Sequence, residues 1–78
     1  MRIPRGVNAR TFMRALQDDG FAEDRVAGDH HIYCHPDGRI VPVAYSRGND
    51  TFPIGTLRKM VHLARWTEHD LGRLRLIE

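Results

Sequence analysis

Residues 28–38 read Gly-Asp-His-His-Ile-Tyr-Cys-His-Pro-Asp-Gly, so three histidines and the chain's only cysteine fall within six residues. Imidazole and thiolate together can bind zinc, whereas imidazole alone can act as a general base, and spacing separates the two chemistries. Gly28 and the Pro36-Asp37-Gly38 turn signal bracket an extended segment rather than a helix. Extended, His30 and Cys34 stand roughly 13 Å apart at about 3.3 Å per residue. Two ligands of one zinc ion must lie within about 4 Å of each other, because each bond is only about 2.0–2.3 Å. As strand neighbours, His30 and His31 also point to opposite faces. No metal site is therefore expected, and Cys34 reads as a small packing residue.

Acid–base chemistry asks for less. Imidazole ordinarily titrates near pH 6.5, so a histidine can take and return a proton near neutrality. His35 reads as the solvated flank of the Pro-Asp-Gly turn, and His62 and His69 as exposed among charged neighbours. For His30 and His31 the residues alone leave two alternatives. Ile32 and Cys34 argue that even positions face the core, while Tyr33 argues for odd ones.

The flanking sequence supplies the elements that must hold this segment. Asn8 is a helix N-cap, and Ala9, Phe12, Met13 and Leu16 form one apolar stripe before Gly20 stops the helix. Residues 21–26 read as a polar, edge-like first strand, 30–35 as a second and 39–44 as a third. Pro42, which cannot donate to a ladder, implies an open edge on the third. After a polar loop at 45–50, a second helix runs over 54–65 with Leu57, Met60, Val61 and Ala64 on its apolar face and Pro53 near its start. Thr67 and Asp70 have capping-box spacing and open a short last helix burying Leu71 and Leu74. The order predicts an α+β domain, helix–three antiparallel strands–helix with a short C-terminal helix. Both main helices should lie on one face of the sheet, leaving the other open.

At 78 residues the chain has room for a single domain, 1–78, built on one small core. One cysteine excludes an internal disulfide, and no run is apolar enough for a signal peptide or a membrane span, so a cytoplasmic protein without a membrane partner is expected. Formal net charge is only +2, but eleven of the twelve cations are Arg and only Lys59 is Lys. The planar Arg fork suits phosphate and lends slight support to a nucleic-acid partner. Nothing in the sequence calls for a cofactor.

In order along the chain stand Leu16…Gly20-Phe21, Arg25, Gly28-Asp29-His30-His31, His35-Pro36-Asp37-Gly38-Arg39, Val41-Pro42-Val43 and Pro53-Ile54-Gly55-Thr56-Leu57-Arg58, then Ala64, Thr67 and Asp70-Leu71. This series resembles the HicA (YcfA-like) toxins of bacterial and archaeal toxin–antitoxin pairs. The resemblance implies a fold like the double-stranded-RNA-binding domain, an endoribonuclease acting on mRNA, and neutralisation by a HicB-like antitoxin. It places the family's catalytic histidine at His30 and an apolar residue at Tyr33, which turns Tyr33 to the core and His30 to the open face.

Two positions depart from the family pattern. Asp29 replaces the usual serine, and its carboxylate would favour the charged imidazolium or hinder a phosphate. Ala44 stands where many members have histidine, which leaves His31 or Tyr45 as a substitute or auxiliary group. The implied chemistry is a lone base that deprotonates a ribose 2′-OH while cations steady the phosphate. Arg25, Arg39, Arg58 and Lys59 are the candidates for RNA contact, the last two near a helix start where free N–H groups favour anions. The alternative is an RNA- or protein-binding module of the same fold that has lost the chemistry.

Overall fold

Asn8 opens the first helix: its Oδ1 accepts the Thr11 N–H at 2.9 Å, satisfying one donor that a helix start leaves free. In the computed structural model, which describes residues 1–78, this helix is α1 (Ala9–Asp18), and it buries Ala9, Phe12, Ala15 and Leu16. The chain leaves α1 through Gly20, whose φ of +102° side chains rarely adopt. Space demands glycine there as well, since a Cβ would come within 2.8 Å of His35 Nε2. Gly20→Ala is expected to cost about 1–3 kcal/mol of stability. A thermal melt checks this, and an unchanged Tm would mean that neither the positive φ nor the His35 ring resists a Cβ there.

Three strands follow, β1 (Ala22–Ala27), β2 (His30–Cys34) and β3 (Ile40–Ala44), antiparallel in the order β1-β2-β3. Gly28 and Asp29 join β1 to β2 as a two-residue turn, with Gly28 at φ +63° where a type II′ hairpin requires a positive angle. The β2–β3 turn closes by a Gly38 N–H to His35 carbonyl bond of 2.9 Å and an Arg39 N–H to Asp37 Oδ1 bond of 3.1 Å.

Opposed residues in an antiparallel ladder share a face, so the register sorts the sheet. Tyr33 opposes Val41 and His31 opposes Val43; of these, Tyr33, Val41 and Val43 are buried against the helices. His30 opposes Ala27 and Ala44, and Ile32 opposes Pro42, on the other, open face. A bulge between Glu23 and Arg25 sets Arg25 opposite Ile32, and so on the open face too. β1 is exposed along its whole length; its charges and bulge blunt an edge that would otherwise pair with another chain. As anticipated from Pro42, β3 is the other edge strand.

α2 (Ile54–Leu63) begins after Pro53 and ends before the expected residue 65, because Arg65 takes a left-handed φ of +58°. α3 (Glu68–Arg73) carries the full capping box: Thr67 Oγ1 accepts the Asp70 N–H, and Asp70 Oδ2 accepts the Thr67 N–H at 2.8 Å. Phe12, Leu16, Phe21, Leu57, Val61, Trp66, Leu71 and Leu74 join Tyr33, Val41 and Val43 in one apolar cluster. A helix, a three-stranded antiparallel sheet and two helices, with one sheet face uncovered, form an α+β fold consistent with the double-stranded-RNA-binding domain. No helix is long and apolar enough to cross a membrane.

Candidate active site on the open sheet face

His30 is the first residue of β2, and its side chain is 65 % exposed. Its Nδ1 lies 3.4 Å from Asp29 Oδ1, within reach of an electrostatic contact but long for a hydrogen bond. Beside it the open face meets α2 in a groove of about 340 Å³. His30, Pro42 and Ala44 line the sheet side, and Gly55, Thr56, Lys59, Met60 and Leu63 line the helix side. No carboxylate lines the groove, and Lys59 has no ion-pair partner. The structure thus brings together two residues singled out from sequence, His30 and Lys59, and adds Arg25 on the same face one strand away.

The other candidates lie elsewhere. His31 points to the opposite face, where its ring stacks on Tyr45 at 4.0 Å and 14° and its Nδ1 lies 2.9 Å from Glu23 Oε2. Burial first, then the neighbouring Tyr45 hydroxyl and Glu23 carboxylate, push the Tyr33 hydroxyl up to about 12. Burial and Glu23 also push Tyr45 up, so both phenols stay neutral across the physiological range. This cluster ties the 45–50 loop to the sheet, and neither His31 nor Tyr45 shares the open face with His30. Arg58 is exposed on α2 but does not line the groove.

Arg39 requires a revision of the sequence expectation. Its Nε donates to Asp37, its Nη1 donates to Asp19 Oδ2 at 2.9 Å and to the Ala64 carbonyl at 2.7 Å, and its guanidinium lies 4.8 Å from the centre of the Phe21 ring. Only 14 % of the side chain is exposed, so Arg39 acts as a structural strut and leaves the set of phosphate contacts. His35 likewise is no solvated flank. Its Nε2 donates to the Asp19 carbonyl at 2.8 Å, and its Nδ1 lies 3.1 Å from the Asp37 backbone nitrogen and 3.0 Å from Asp37 Oδ1. His62 and His69 are exposed, as expected.

Sequence reasoning passed over Asp19, where these contacts converge. Its side chain is 7 % exposed and accepts from Arg39, from Arg73 and from Trp66 Nε1 at 2.9 Å. Burial alone would push its carboxyl up, but the hydrogen bonds from Arg73, Trp66 and Arg39 outweigh that and hold it below the ordinary carboxylate value. The only sequence signal was an acidic residue directly before a stopping glycine, which is too common to single out.

Among the carboxylate side chains only Asp24 and Glu78 have no polar partner from backbone or side chain, whereas the side chains of Arg5, Arg10, Arg25, Arg47, Arg58, Lys59, Arg65 and Arg75 have no acceptor. Most carboxylates are engaged by partners within the chain while eight cations are not, so a net charge of only +2 understates the attraction for a polyanion. No three His, Cys, Asp or Glu side chains converge as a ligand set.

A family model described as the HicA toxin of bacterial toxin–antitoxin systems matches residues 9–66, from the start of α1 through Trp66. No curated protein matches the chain.

Proposed function

The chain belongs to the HicA toxin family, and from that premise we propose that it is a metal-independent endoribonuclease acting on mRNA, with His30 as the base. The observation that carries this reading is the placement of an exposed imidazole on an open sheet face between two unpaired cations, Arg25 and Lys59. Asp29 lies beside Nδ1, so we assign the base to the other ring nitrogen, Nε2. Nε2 takes the proton of a ribose 2′-OH, and the 2′-oxygen attacks the adjacent phosphorus. The P–O5′ bond breaks, and the leaving oxygen is protonated by the imidazolium or by water. A 2′,3′-cyclic phosphate and a 5′-hydroxyl remain. Lys59 and Arg25 offset the extra charge on the phosphorane.

Toxins of this family pair with an antitoxin. A HicB-like acidic protein covering this face would silence the site by occupying His30 and the cations together.

The test is cleavage of purified RNA in excess EDTA with analysis of the ends. Cyclic phosphate and 5′-hydroxyl termini are expected; 5′-phosphate termini, or loss of activity on chelation, would refute the mechanism. The second reading, a binding module without chemistry, draws on Asp29 and Ala44, the positions that depart from the family pattern. Tight RNA binding with no turnover would establish it.

Binding should be driven by phosphate contacts. On single strands, log Kd should change with log salt by about 0.7 per phosphate contacted, and charge reversal at Lys59 or Arg25 should flatten the slope by about one contact. An affinity independent of salt would point to a protein ligand instead.

A further inference from the structure

The groove beside His30 contains more than a base and a cation needs. Lys59 and the imidazole supply its polarity from opposite walls, but Pro42, Ala44 and Leu63 make much of its lining apolar, and Thr56 offers one hydroxyl from α2. A site that only gripped phosphate would need no apolar lining. At about 340 Å³ the groove sits at the small end of the range for small-molecule pockets, about 300–1,000 Å³. The absence of any carboxylate fits an anionic occupant, and the apolar strip fits the flat face of a base.

We infer that this groove is a subsite for one unpaired nucleotide next to the scissile phosphate, with the base against Pro42 and Leu63 and its phosphate among Lys59, Thr56 and His30. The inference rests on the reading of the protein as an RNA-directed enzyme and adds where the chain seats a nucleotide and in what state. A base within a duplex is stacked on both faces and paired along its edge, so it cannot enter a groove closed on one side by a helix. Unstacked bases of single strands can be splayed into such a site. The site therefore selects single-stranded RNA, although the fold is of the duplex-binding type. From the groove the strand runs across β3 and β2 toward Arg25, over strands spaced about 4.8 Å apart.

Binding is tested apart from cleavage, on a short 2′-fluoro RNA that lacks the attacking hydroxyl, offered as a single strand and as a duplex of the same sequence. Wild-type protein should bind the single strand at least tenfold more tightly. Thr56→Leu and Ala44→Leu, which fill the groove from opposite walls with neither charge nor aromatic surface, should each weaken single-strand binding about tenfold. Both positions are exposed, and circular dichroism confirms that each variant is folded. Equal affinity for duplex and single strand, no binding of either, or folded variants that bind within twofold of wild type would overturn the subsite. If the single-strand preference and both losses appear but natural RNA is never cleaved, the subsite stands and the nuclease mechanism falls.

Discussion

Replacing His30 with alanine is expected to slow RNA cleavage by about 10²–10⁴ while leaving the fold unchanged, because a positioned base contributes about that factor. The two halves of this expectation come from the same observation. A side chain that is 65 % exposed at the first position of β2 makes no packing contact whose loss would unfold the protein, so truncation removes chemistry alone. No other titratable group lining the groove can take its place: Lys59 is a cation, and His31 is on the far side of the strand. His31→Ala is the matched control. It deletes an imidazole held by Glu23 and stacked on Tyr45, so it should lower the Tm and leave the rate of the folded enzyme within a few-fold. Single-turnover rates on one RNA, taken with melts of both variants, separate the outcomes. His30→Ala protein cleaving at near wild-type rate, or His31→Ala protein that is folded but dead, would move the base to the other face.

Asp19→Ala should destabilise the fold by about 3–5 kcal/mol, because it strands cations and an indole N–H that its carboxylate now satisfies. The residue caps α1 and reaches Arg39 from the β2–β3 turn, Arg73 from α3 and the Trp66 indole. Its loss thus uncouples three segments at once. At about 4–8 °C per kcal/mol for a domain of this size, the Tm should fall by roughly 12 °C or more. Asp19→Asn keeps the shape and loses the charge, and should lie between wild type and Asp19→Ala.

The pH dependence has a definite sign. A carboxyl held low in the folded state contributes its full stability above its unfolded value, about 3.9, and loses it as pH falls through the lower folded value. Asp70, held low mainly by the Thr67 N–H despite burial, acts in the same direction. Wild type should therefore lose stability steeply below about pH 4. Asp19→Asn should be weaker at neutrality but flatter on the acid side, by denaturant melts across pH. An Asp19→Asn protein with an acid limb as steep as wild type would show that the coupling lies elsewhere.

Much of this architecture is local, and local features are legible in a sequence. Asn8 and Thr67 announce caps because a side-chain oxygen must reach a free N–H within three residues. Gly28 and Pro36-Asp37-Gly38 announce turns because few residues adopt their angles, and the stripes of α1 and α2 announce buried faces because they recur at helical spacing. The family resemblance rested on the same short runs and named His30. What sequence could not decide was which partner lay across space. Whether even or odd positions of β2 faced the core hung on a one-residue register, which the ladder settles by setting Tyr33 against Val41 and His30 against Ala44. Arg39 and Lys59 look alike as cations on a chain, yet one is saturated by Asp19, Asp37 and Ala64 and the other is free beside His30. Asp19 meets Arg39 and Arg73 across separations of 20 and 54 residues, and the groove joins β2 and β3 to α2. Such contacts depend on how elements pack, a cooperative property of the whole core that no short window of residues contains.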